Sequence, residues 1–135
     1  MKPKLGMDIV GASVTGALLA VAVSAGVAAM LGGRAAHEAV EVLAKMDLDL
    51  SEHETQPLTE PLVRHADLIY TMTRTHRDAI VAQWPSAAER TFLLSAEESD
   101  ICDPIGGPAE RYQRCALQIR GELEMRLEQI ERLLE

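Results

Sequence analysis

Asp103-Pro104-Ile105-Gly106-Gly107 is the stretch of this sequence best built to hold a reactive carboxylate. Proline stiffens the backbone after Asp103, and the two glycines permit angles that other residues resist. A carboxylate held rigidly over a site can serve as a general acid once its proton affinity is raised. The same residues also suit a plain turn, in which Asp103 caps the following helix or accepts a hydrogen bond from its own backbone. On the residues alone both readings stand. Ser24 ends an apolar run, so its hydroxyl requires a partner or faces a site. His53, in the polar stretch Leu50–Thr59, is the histidine best placed for an ordered hydrogen bond. The four histidines show no metal-ligand spacing, and His65 and His76 read as surface residues; neither a metal nor a cofactor is expected.

The 135 residues contain two cysteines. Cys102 stands between Asp100 and Asp103, which offer none of the electropositive support a thiolate needs. Cys115 falls on an apolar stripe and reads as core. Two cysteines make no disulfide framework and no zinc set, which points to a reduced, cytoplasmic setting. A net charge of −8 with scattered arginines argues against nucleic acid, whose phosphates demand a basic stripe.

These groups need elements to carry them. Leu19–Ser24 reads as a buried strand, and the apolar spacing of Ala35 to Met46 as an amphipathic helix. Thr59 opens a short helix with Pro61 in its first turn. Ala66–Met72 is a second strand, and Thr73 caps a helix that stops at Pro85. Thr91–Leu94 is a third strand, followed by an acidic loop to Gly107. From Pro108 onward Tyr112, Cys115, Ala116, Ile119, Leu123, Leu127, Ile130 and Leu134 recur at helical spacing. Alternating strands and helices imply one α/β domain, a parallel sheet flanked by helices in three layers. Ligands of such folds bind at the carboxyl ends of the strands. The apolar stretch from Met7 to Gly33 has the length of a membrane span and, with Ala22-Val23-Ser24 before Ala25, the look of a signal peptide. Its glycines and lack of interfacial aromatics favour soluble core.

The segments VSAGVAAMLGGRAAHEAVEVL, DLDLSEHETQPLT, LVRHADLIYTMTRTHRDAIVAQWP and DICDPIGGPAERYQRCALQI, in that order, resemble the low-molecular-weight protein tyrosine phosphatase family, which includes bacterial protein arginine phosphatases. The match runs from about Val21 to Leu134. The resemblance implies two-step hydrolysis of phosphorylated protein substrates through a cysteinyl-phosphate. Asp103 would be the general acid, Ser24 and His53 would support the phosphate loop, and Ile105 would lie in the substrate loop. Bacterial members share the Asp-Pro-x-Gly-Gly pattern, whereas tyrosine-directed members often carry an aromatic residue at the position of Ile105.

The departure is at the nucleophile. The family's Cys-x5-Arg loop is absent: the sixth residue after Cys102 is Pro108, and after Cys115 it is Gly121. The expectation is therefore a domain of 1–135 lacking the family's first, central strand, with 1–18 a remnant connection and 19–135 the matching region. The strands on either side would be left unpaired or would re-pair. Gly11–Gly16 cannot replace the phosphate loop, because too few residues separate it from Leu19 for a parallel crossover. As written, the chain is expected to be an inactive phosphatase, or alternatively a non-catalytic binding module on that scaffold.

Overall fold

The computed structural model describes residues 9–15, 19–26 and 32–134. Four strands form one sheet: β1 (Ile9–Thr15), β2 (Leu19–Ala25), β3 (Leu68–Thr71) and β4 (Thr91–Leu93). Among the described residues four helices accompany them: α1 (His37–Ala44), α2 (Glu60–His65), α3 (Arg74–Gln83) and α4 (Ala109–Leu134), with a 3₁₀ turn at Pro85–Arg90.

The strand order is β2-β1-β3-β4. β3 and β4 pair in parallel, while β1 pairs antiparallel with both β2 and β3. The three strands expected from the sequence therefore run in one direction, as the α/β reading requires. The slot between β2 and β3, expected to be vacant, is filled by β1. This corrects the reading of 1–18 as a mere remnant connection: Ile9–Thr15 is a central strand, with Ala12 opposite Ala22 on one side and Leu68 on the other. The physical reason lies in chain direction. A separation of four positions from Thr15 to Leu19 forbids a parallel crossover but suits an antiparallel neighbour. Pairing both edges of the slot also satisfies backbone groups that would otherwise be orphaned. The segment Gly11–Thr15 is thus strand, not phosphate loop.

Alternation along β3 sends its side chains to opposite faces. Leu68, Tyr70 and Met72 pack with Leu94 and Ile101 against Ile119, Leu123 and Ile130 of α4. Ile69 faces the other way, onto Val63, Ile80 and Ala87 beneath α2, α3 and the 3₁₀ turn. α1 lies on α4, where Ala39 and Val42 meet Tyr112, Cys115 and Ala116. The result is three layers.

Local signals account for the helix ends. Pro61 sits in the first turn of α2, where its missing N–H costs nothing. The Thr73 hydroxyl accepts a hydrogen bond from the His76 backbone N–H at 3.2 Å, and α3 ends ahead of Pro85. Arg90 ties the far side together by donating to the carbonyls of Val63 and Ala66. Among the described residues, no helix is long and apolar enough to cross a membrane.

Candidate active site

The carboxyl ends of β2, β3 and β4 share one edge of the sheet, and three loops rise from it. After β2, Gly26 donates to the Gln56 carbonyl at 2.9 Å, and the Gly26 carbonyl accepts from the Leu58 N–H at 3.0 Å. Gly32 and Gly33 are stitched to Thr55 through three hydrogen bonds of 2.7–2.9 Å, one of them to its hydroxyl. A Cβ on Gly33 would lie 2.5 Å from the Thr55 Oγ1, so this close approach depends on glycine. The loop carrying His53 is in this way zipped onto the segment that follows Ser24.

Ser24 is half-buried at the end of β2, and its carbonyl accepts from Gln56 Nε2 at 2.7 Å. His53 is half-buried, with its backbone N–H bonded to the Leu50 carbonyl at 3.1 Å. Asp103 is exposed on the loop after β4, and its Oδ1 accepts from the Ile105 N–H at 3.1 Å. The turn anticipated as the plainer alternative is therefore present, and it aims the carboxylate outward. Pro104 beneath it is buried, and Ile105 is half-buried. Gly106 takes a φ of 78°, which a side chain would oppose, and Gly107 closes the turn by donating to the Pro104 carbonyl at 2.8 Å. Ser24 and His53 thus belong to one loop pair and Asp103 to another loop on the same edge.

The acid loop is anchored by groups that sequence reasoning did not single out. Ile101 donates to the Met72 carbonyl just beyond β3 at 2.8 Å. Asp100 accepts from the Arg74 N–H at 2.8 Å, and the Arg74 guanidinium reaches the Glu98 carbonyl at 2.9 Å. Arg126 of α4 donates to the carbonyls of Leu93, Leu94 and Ser95 at 2.6, 3.1 and 3.4 Å, while lying 5.0 Å from the centre of the Tyr70 ring. Glu122 accepts from the Ala96 N–H at 3.0 Å, and Gln118 from the Cys102 N–H at 3.4 Å. The spacing of Gln118, Glu122, Arg126 and Gln129 by three and four residues would have revealed this polar stripe beside the apolar one. Leu127, counted with the apolar stripe, is instead half-exposed.

The cysteines require a correction. Cys102 and Cys115 are joined as a disulfide, thirteen residues apart in sequence, with Cα atoms 5.8 Å apart. The core assignment of Cys115 is right, since it is fully buried. Its partner was hidden because the loop after β4 folds back over the first turns of α4, a juxtaposition that spacing alone does not encode. The argument for a reducing compartment rested on unpaired cysteines, and the disulfide removes it. Beside this bridge, burial pushes the Tyr112 phenol above its ordinary range, with the Glu38 and Asp103 carboxylates adding to the effect. His65 is exposed as expected, while His76, read as a surface residue, is half-buried. No group of three metal-ligating side chains occurs among the described residues.

A sheet covered on both faces by helices, with its loops gathered at the carboxyl edge, defines a three-layer α/β domain. Residues 12–134 match the model of the family described as low molecular weight phosphotyrosine protein phosphatase, and the chain belongs to that family. It is 36% identical over 115 residues to a protein-arginine-phosphatase of Bacillus subtilis (strain 168), covering 82% of this chain and 73% of that protein. It is 43% identical over 83 residues to a probable low molecular weight protein-tyrosine-phosphatase, EpsP, of Ralstonia solanacearum, covering 61% of this chain and 57% of that one. The crystal structure of a low molecular weight protein tyrosine phosphatase from T. tengcongensis superimposes with a TM-score of 0.75 at 36% identity, over 79% of this chain and 76% of that one.

Proposed function

We propose that this chain carries the acid half of a protein phosphatase site, with Asp103 as the proton donor to the leaving group. The observation that supports this is the Asp103–Gly107 turn. It holds an exposed carboxylate at the sheet edge, on a base of buried Pro104 and a loop pinned to β3 and α3. In this reading phosphorylated protein is the substrate. A thiolate attacks phosphorus, the P–O or P–N bond to the leaving group breaks, and Asp103 delivers the proton that the leaving atom needs. Water then hydrolyses the cysteinyl-phosphate, with the same carboxylate accepting its proton.

Ile105 beside the acid supports a non-aromatic phosphoresidue such as phosphoarginine, in keeping with the arginine phosphatase named above. Ser24 and His53 would brace the phosphate loop from the zipped loop pair. Both cysteines of the sequence are held in the disulfide, and neither has an arginine six positions on. The chain as written therefore offers no thiolate for the first step, and no hydrolysis of para-nitrophenyl phosphate is expected from it. A family-like strand and Cys-x5-Arg loop in place of Ile9–Thr15, in the slot between β2 and β3, should confer turnover. In that chain Asp103→Ala should lower kcat by about 10²–10⁴-fold. Turnover by the chain as written, or an unchanged rate in the rebuilt Asp103→Ala variant, would overturn these assignments respectively.

A further inference from the structure

The proposed chemistry leaves the Cys102–Cys115 bridge without a role, yet its position is informative. Cys102 directly precedes Asp103, and Cys115 lies two turns into α4 on its buried face. The acid loop consequently has two different kinds of attachment. Its first half, up to Ile101, is held by hydrogen bonds to the Met72 carbonyl, the Arg74 N–H and the Arg74 guanidinium. At Cys102 the attachment to α4 changes to a covalent one, accompanied by the 3.4 Å contact of the Cys102 N–H with Gln118. The turn that bears Asp103 hangs from that bridge and rejoins α4 at Pro108. Its carboxylate also lies within electrostatic reach of Tyr112, on the same helix face as Cys115.

We propose that the Cys102–Cys115 disulfide is a redox-cleavable tether that positions Asp103, holding the acid turn against α4 when oxidised and releasing it when reduced by a dithiol. This rests on the reading of Asp103 as the acid. Cys102 is exposed and Cys115 buried, so an external thiolate meets the Cys102 side of the bridge first. Attack on the Cys102 sulfur forms a mixed disulfide and expels the Cys115 sulfur, which takes a proton from solvent. The second thiolate of the dithiol then displaces Cys102. One disulfide is reduced to two thiols, and the dithiol is oxidised to a disulfide. The Cα separation of 5.8 Å lies within the range that bridged residues occupy, so the bond re-forms when the released loop returns to this position.

The test is hydrogen exchange on the full chain, before and after dithiothreitol, with thiol alkylation to verify quantitative reduction. Reduction should speed exchange of the Ile105–Gly107 amides by about tenfold or more while β3 stays protected. The carboxyl ¹³C resonance of Asp103 should shift, while that of Asp67, exposed at the opposite, amino end of β3, should not. Cys102→Ser, a substitution at an exposed position, should show the fast exchange without reductant and no further response to it. Unchanged exchange and an unmoved Asp103 resonance after full reduction would overturn the tether, as would two free thiols that fail to pair in oxidised glutathione. Neither readout requires turnover, so the acid assignment is judged separately by the Asp103→Ala kinetics.

Discussion

Asp103 and Tyr112 form the pair through which single residues can be interrogated. Burial keeps the Tyr112 phenol protonated beyond its ordinary value of 10.0, and nearby carboxylates reinforce this. Tyr70 is shifted the same way by burial, with Arg126 opposing. As pH rises, the unfolded chain loses these protons first, so between its pKa and that of the folded state the native form binds more protons. Stability from these phenols is complete below about pH 10 and declines as pH climbs through the folded-state values. Tyr112→Phe should therefore shrink the loss of the urea midpoint between pH 8 and pH 11, and an undiminished loss would exclude this phenol. At this scale the turn that carries Asp103 was legible, because Pro and paired glycines leave a local trace. The bridge partner of Cys102 left none, since it depends on how a loop meets a helix.

Among the elements, α3 and α4 set the geometry of the acid loop. The Thr73 hydroxyl caps α3, and the next residue, Arg74, grips both Asp100 and Glu98. Thr73→Ala should destabilise the fold by about 1 kcal/mol, read from urea denaturation. It should also loosen the loop around Asp100 in hydrogen exchange, because the cap and the grip lie in one turn. Helix boundaries at Thr73 and Pro85 were legible since capping and proline act locally. The polar stripe of α4 was less so: Gln118, Glu122 and Arg126 are ordinary surface types until a carbonyl-rich strand end is set against them.

For the molecule as a whole, the sheet is completed by a strand that the sequence pattern did not disclose. Ile9–Thr15 carries Ile9, Val10 and Val14 but is interrupted by Gly11, Ala12 and Ser13, and its pairing depends on partners on both sides. Ala12→Pro removes a ladder donor at a position flanked by two strands, where proline is not accommodated. It should lower the denaturation midpoint more than the same change at exposed Ala109, and equal midpoints would remove β1 from the centre of the sheet. β3, β4 and the flanking helices were readable because their hydrophobic runs bury against both layers. Strand direction at β1 was not, since it follows from which slot remains open.

That reversed direction also fixes where the chain enters. Ile9 faces Ala25 and Thr71, so β1 begins at the edge where the parallel strands end and the acid loop is pinned. A fluorophore or affinity tag attached just ahead of Ile9 would be delivered to the mouth of the candidate site. Such a label becomes a built-in reporter on the acid loop, and equally an obstruction to any phosphoprotein approaching it.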